Sequence, residues 1–341
     1  MTKTNKFKIQ FIAFAVFLLL NTISGCRKEK NTPDQPPSDS SIIILPPVDE
    51  SLPAIKGKLV FHSYDNYGDK AKMYIYDFSK NQLTCINCNW ELHDPINAHF
   101  NTGGTQIVFM AQAVPDGKWD IYTWMLNSKD PPVNLTSSDK SRDEDPKFSP
   151  DGKNICFKQT SGSNPGNVRI MDLNGKILQV VTDNKIESGM PYYLLNVPAL
   201  IYAAGANSNS DIFMVNKDGS HNHAIQQEKN IQEYYPITID SFSYLFSRWY
   251  STSNKNDQVY KGYLSGAPPV SLLFNTSNAN YSDAYPCRDD FVFLSSTRTG
   301  TIGGYDLYIA NMRTGSIWSL SLYNKSINTS NNELGSCYSP K

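Results

Sequence analysis

The sequence predicts an all-β fold, a six-bladed β-propeller of four-stranded antiparallel blades closed by the C-terminal strand joining the first blade. Three observations predict it. A unit recurs about every 45 to 50 residues, each unit holds strands of period-2 alternation, and the two chain ends carry complementary parts of one unit.

The first strand of each unit runs into a tight turn and then an apolar second strand. "PKFSPDGKNICF" shows the pattern in full, with Pro146, Phe148, the turn "SPDG" and then the strand "KNICFK". "HDPINAHFNTGGTQIVFM" repeats it around Ala98, "ESGMPYYLLNVPALIYA" around Pro191 and "QEYYPITIDSFSYLFS" around Pro236. "SDAYPCRDDFVFLSS" repeats it with Pro286 as anchor, and "NELGSCYSPK" with Ser336. The third strand is aromatic and aliphatic by turns: "KMYIYDF", "DIYTWML", "VRIMDL", "DIFMVN", "QVYKGYL" and "DLYIANM". Turns rich in Asn, Asp, Gly or Pro follow, then a more polar fourth strand such as "QLTCI", "ILQVVTD" or "SIWSLSL". "GKLVFHS" (57–63) is a second strand with no first strand before it, and "GSCYSPK" (335–341) is a first strand with no second after it. Pairing them completes one blade and leaves no open edge in the ring.

Before the repeats, "MTKTNKFK" is cationic and "IQFIAFAVFLLLNTI" is apolar but short for a membrane span. "ISGC" follows, with Cys26 directly after small residues. The pattern resembles the bacterial lipobox, which implies a signal peptide over 1–25, acylation of Cys26 and a lipid-anchored cell-envelope protein, expected at the outer membrane. Residues 26–55, rich in Pro, Ser and charge, are expected to form a flexible tether, and 56–341 the propeller. The formal net charge is -1 and charged residues make up 18% of the chain, so no basic field exists to hold nucleic acid. Cys85 and Cys88 in "CINC" lack the further ligands of a zinc ribbon, so a local disulfide or two thiols is expected.

"PKFSPDGKNICF" followed by strands of the "DIYTWML" type resembles the repeat of TolB-type β-propellers over about residues 57–341. The resemblance is specific for fold and nearly silent on activity. The build, a tether in place of an N-terminal α/β domain, is similar to TolB-like lipoproteins of Bacteroidetes-type bacteria, which implies a role in glycan uptake or as a surface scaffold.

First strands line the channel of a propeller, so their leading ends face one mouth. Counting back three or four residues from each anchor gives Asp94, Asp143, Glu187, Glu233, Asp283 and Glu333, one carboxylate per unit. Such a ring has three readings: acids capping loop amides, a calcium or magnesium site, or a catalytic carboxylate pair. His93, His99, Arg142, Tyr234, Tyr235 and Tyr285 flank the acids and suit recognition of a sugar or a protein surface. No cofactor is expected beyond that cation. The motifs G-x-S-x-G and H-E-x-x-H are missing from the sequence. The function expected is a monomeric binding or scaffold module for an envelope protein or a glycan. The alternative is a glycan-processing enzyme that uses carboxylates at the channel mouth.

Overall fold

The structure, a computed structural model, describes residues 51–65, 71–137, 140–183, 185–206 and 209–341. The leader, Cys26 and the tether as far as residue 50 lie outside the described residues. Blade 1 holds β1 (Lys58–Tyr64), β2 (Lys72–Asp77) and β3 (Gln82–Cys85). Blade 2 holds β4 (His93–Phe100), β5 (Gln106–Gln112), β6 (Trp119–Met125) and β7 (Val133–Asn134). Blade 3 holds β8 (Arg142–Phe148), β9 (Asn154–Thr160), β10 (Asn167–Asp172) and β11 (Ile177–Val180). Blade 4 holds β12 (Ser188–Tyr193), β13 (Ala199–Ala206), β14 (Asn209–Asn216) and β15 (His223–Gln226). Blade 5 holds β16 (Glu233–Thr238), β17 (Ser243–Trp249), β18 (Asp257–Tyr263) and β19 (Val270–Ser271). Blade 6 holds β20 (Tyr281–Pro286), β21 (Phe291–Ser296), β22 (Asp306–Asn311) and β23 (Ile317–Ser319), and β24 (Asn332–Ser339) ends the chain.

Among the described residues these strands form six four-stranded antiparallel sheets. β24 pairs with β1, from Lys58 opposite Ser339 to Tyr64 opposite Asn332, and completes blade 1. The first strands of successive blades touch one another around the ring, which places them innermost.

The core is divided among the seams between blades. Alternation sends neighbouring residues of a second strand to opposite faces, so Phe109 packs toward blade 1 and Val108 toward blade 3. Each seam has its own cluster. Leu59, Phe61, Phe293, Leu307 and Tyr338, for example, close blade 6 onto blade 1. Ile55 joins that seam, and Arg288 Nη2 donates to Ala54 O at 2.9 Å, so residues 54 and 55 already pack on the propeller.

Third strands are extended by a device that the sequence reading missed. After each of five outer strands a single Asn or Thr side chain accepts from a third-strand amide. Asn87 Oδ1 takes Met73 N–H at 2.8 Å, Thr136 Oγ1 takes Ile121 at 3.0 Å, and Thr182 Oγ1 takes Val168 at 2.9 Å. Asn275 does so for Val259 at 3.1 Å and Asn328 for Leu307 at 2.8 Å. Each satisfies a buried amide where the outer strand has ended. A Thr or Asn following five of the six polar strands was the legible signal. In blade 1 the loop carrying Asn87 is closed by a Cys85–Cys88 disulfide with a Cα separation of 5.7 Å, while Cys156, Cys287 and Cys337 are free thiols.

Candidate functional site: a plugged channel mouth

Every first strand breaks register at a β-bulge as it descends into the channel, and β4 does so twice, between His93 and Ile96 and between Ile96 and His99. The bulged residue has positive φ in each blade: Asn97 (54°), Asp145 (55°), Met190 (53°), Tyr235 (50°), Asp283 (52°) and Gly335 (64°). Ala98, Pro146, Pro191, Pro236, Ala284 and Ser336 come next, so these are the equivalent positions. The anchor of blade 6 is therefore Ala284 and not Pro286. Pro286 stands two residues beyond that position and imitates the proline that serves as anchor in blades 3, 4 and 5.

The correction dissolves the expected ring of six acids. Three residues before the true anchors stand Pro95, Asp143, Ser188, Glu233, Tyr281 and Glu333, so only alternate blades carry an acid there. All three are fully buried. Asp143 Oδ1 accepts from Gln159 Nε2 at 3.2 Å. Glu333 accepts from Ser63 Oγ at 2.9 Å, Thr329 Oγ1 at 2.6 Å and Thr329 N–H at 3.2 Å. Burial outweighs these bonds and moves its proton affinity upward. Glu233 Oε1 accepts from Gln226 Nε2 at 3.1 Å and stands 3.7 Å from Arg248 Nε, while Oε2 has no hydrogen-bond partner. Burial pushes its carboxyl up to about 8, because Arg248 only partly offsets it. That guanidinium is shared with Glu228 at 3.1 Å and lies 5.1 Å over the ring of Tyr260.

The other three acids stand elsewhere. Asp94 Oδ1 caps the Ala71 amide at 2.9 Å. Glu187, exposed, accepts from the Gly166 amide at 2.7 Å and pairs with Lys158. Asp283 is itself a bulge residue, and its Oδ2 accepts from Gly335 N–H at 3.2 Å across the closure of the ring.

The flanking residues separate into two levels. His99 and Tyr285, expected at the mouth, lie two residues past the bulge residues and meet Tyr192 in the middle of the channel. His99 Nε2 and the Tyr192 hydroxyl are 3.3 Å apart, and Tyr192 OH reaches Tyr285 OH at 3.4 Å. The His99 ring centroid lies 5.6 Å from that of Tyr192 and 6.2 Å from that of Tyr285. Blades 2, 4 and 6 thus each send one ring inward, and the three plug the channel. Phe148 N–H donates to His99 Nδ1 at 3.2 Å, which fixes the ring, and burial holds its imidazole well below the usual range.

Above the plug, at the level of the bulges, further side chains border the channel mouth, termed the funnel below. Asp145 accepts from Asn97 Nδ2 at 2.9 Å, and Tyr234 and Tyr235 have ring centroids 5.4 Å apart. Tyr235 is within electrostatic reach of Asp145, Asp283 and Tyr64, and Tyr305 within reach of Asp257, Asp283 and Tyr64. Tyr234 hydrogen-bonds the Asp257 side chain, whose carboxyl burial pushes up to about 6. Burial likewise raises Asp145 and Asp283, with Lys147 beneath them acting in the opposite sense. At the rim Arg142 pairs with Glu144 at 2.7 Å and stacks 5.9 Å over Trp119, and Lys158 reaches Glu144 at 3.1 Å. His93 is exposed at the start of β4.

Sequence reasoning missed Tyr64, Asp145, Tyr192, Asp257 and Tyr305, which come from different strands and loops, and His62. His62 is buried beside the bulges, its Nδ1 3.5 Å from the Asn97 amide, and burial lowers its imidazole to about 3. Gly335 is needed above it, since a Cβ there would lie 2.4 Å from His62 Cε1 at a φ of 64°. Among the described residues no group of three or more His, Cys, Asp or Glu is arranged to hold a metal ion. No described helix is long and apolar enough to cross a membrane.

No family model matches the chain. The Tol-Pal system protein TolB of Francisella tularensis subsp. tularensis strain WY96-3418 is 28% identical over 167 residues, 48% of this chain. The match spans 37% of that relative, little more than a third of its length. Among solved structures, TolB from Acinetobacter baumannii superposes with a TM-score of 0.64 at 14% identity, covering 85% of this chain and 68% of that one. Hydrazine synthase of Kuenenia stuttgartiensis gives 0.66 at 11% identity, over 83% of this chain and 46% of that one. Likeness at such identity is likeness of fold. The chain is a six-bladed β-propeller, similar in sequence to TolB over 48% of its length and similar in fold to TolB over most of it.

Proposed function

We propose that this protein is a lipid-anchored propeller of the cell envelope, tethered at the outer membrane through Cys26, that binds an envelope protein through the funnel. The plugged channel carries the reading. His99, Tyr192 and Tyr285 meet across its middle, so the channel is not read as a passage and its mouth is left as the binding surface. A polar mouth bordered by tyrosines suits contact with side chains from a partner. The name of the curated relatives, Tol-Pal system protein, supports a partner within the envelope.

The test is photo-crosslinking in intact envelopes, with a photoreactive residue at Tyr235 in the funnel or at Val270 on the outer edge of blade 5. A discrete adduct from position 235 and none from 270 is expected. Adducts equal at both positions would sink the proposal. Replacing Cys26 by Ser should release the protein from membranes, and continued sedimentation with them would remove the anchor.

A second reading, a glycan-processing enzyme, is favoured by one observation: Asp257 and Asp283 interact electrostatically and both have raised proton affinities. Acid and base assignments arise from such pairs. Release of reducing ends from envelope glycans, abolished by Asp257→Asn, is its test.

A further inference from the structure

We propose that the Cys85–Cys88 disulfide is an exchangeable bond, opened by an external dithiol that attacks at Cys88 and closed again by the corresponding disulfide. The bond sits at the end of the outer strand of blade 1, so its chemistry does not depend on what the funnel binds.

The fold does not need this bond for the task of its loop. Asn87, between the two cysteines, accepts from Met73 N–H at 2.8 Å and donates to Ala71 O at 3.3 Å, which fixes β2. Thr136, Thr182, Asn275 and Asn328 hold their own third strands from loops without a disulfide. A disulfide stabilises a fold least when the loop it closes is short, and these cysteines are 3 apart in sequence. Linkage is reciprocal, so folding in turn does little to protect this bond from reduction.

The two sulfurs are unequal. Cys88 is exposed and Cys85 is partly buried. Cys88 is also presented from a fixed loop: Asn87 anchors one side, and on the other Trp90 N–H donates to Asn87 O at 3.1 Å. The Trp90 ring lies 5.3 Å from those of Phe109 and Trp124. A thiolate arriving from solvent therefore meets Cys88 Sγ first. Its sulfur bonds to Cys88 Sγ as the bond to Cys85 breaks, and Cys85 leaves with the electron pair and takes a proton. The second thiol of the reagent then displaces Cys88 from the mixed disulfide. The protein gains two thiols and the dithiol becomes a disulfide. Cys85 has a local acceptor once protonated, because its sulfur lies 3.6 Å from Asn87 Oδ1. The chain's own free thiols are poor attackers, since burial pushes Cys156 and Cys287 up to about 12 and Cys337 up to about 11.

The test is reduction of the folded full chain with dithiothreitol, quenched at intervals by iodoacetamide and read by mass spectrometry, beside the same chain in urea. Cys85 and Cys88 should be alkylated in the folded chain at a rate within about tenfold of that in urea, as an accessible disulfide allows, while Cys156 and Cys337 stay unmodified. A greater slowing by folding, or alkylation of Cys156 and Cys337 alongside, would overturn the inference. Oxidised dithiothreitol should then restore the bond in the folded chain, and failure to reclose would equally sink it. Two single variants locate the attack. With oxidised glutathione, Cys85→Ser should form its mixed disulfide at least about tenfold faster than Cys88→Ser, because only the former keeps the exposed sulfur. Equal rates would overturn the assignment of Cys88.

Discussion

Glu233 allows a direct test of how burial and pairing compete inside a blade seam. Its carboxyl is fully buried, stands 3.7 Å from a guanidinium shared with Glu228, and has one oxygen without a partner. Desolvation wins, and the group is held up to about 8 against 4.5 for a free glutamate. The folded chain thus binds this proton more tightly than the unfolded chain does. Its contribution is complete below about 4.5 and is lost as pH rises through about 8. Between pH 6 and pH 9 the linked loss is about 2–3 kcal/mol, taking roughly 1.4 kcal/mol for each tenfold change. Glu233→Gln keeps the shape and the neutral state but cannot ionise. Urea unfolding of both proteins at several pH values is the assay. Wild type should lose about 2–3 kcal/mol more than the Gln variant between pH 6 and pH 9. Parallel curves would refute the reasoning, for they would mean that Glu233 is ionised and paired with Arg248 throughout.

Three further outcomes follow from the site and its supports. Gly335→Ala should lower stability by about 1–3 kcal/mol in urea unfolding, from a strained φ and the His62 ring beneath it; an unchanged midpoint would remove His62 as the reason for the glycine. His99→Ala leaves the Phe148 amide without its acceptor and should cost about 1–3 kcal/mol. It should also open the plug, so spin-label accessibility at the Tyr192 level would rise. Reduction of Cys85–Cys88, or the double Ser variant, should destabilise by about 2 kcal/mol, because the closed loop is short. Hydrogen exchange at Met73, whose amide Asn87 holds, should rise first.

The strands were legible because alternation is a local property. "KMYIYDF" and "DLYIANM" bury alternate faces in two seams whatever their neighbours, and they became β2 and β22. The first strands were legible as strands but not in detail. "SDAYPC" carries a Pro that mimics the anchor of other blades, yet Ala284 occupies that position because the bulge falls at Asp283. A bulge changes the count by one residue, and in a strand one residue exchanges the face toward the channel for the face toward the seam. For this reason Glu233 and Glu333 went into seams, while Asp145, not among the six acids that the anchors single out, stands at the channel mouth beside Asn97. Tyr64, Asp257 and Tyr305 carried no motif at all; ring closure alone brings them together.

The sequence by itself determined six repeats, four strands in each and closure by the C-terminal strand, since each depends on patterning within about 50 residues or on complementary chain ends. The tertiary structure alone decided which side chains share the channel. Three rings from alternate blades meet as its plug, and above it Asp283 of blade 6 comes within electrostatic reach of Asp145 of blade 3 and Asp257 of blade 5. Convergence on an axis is set by the bulges and by closure of the ring, and neither leaves a period in the chain.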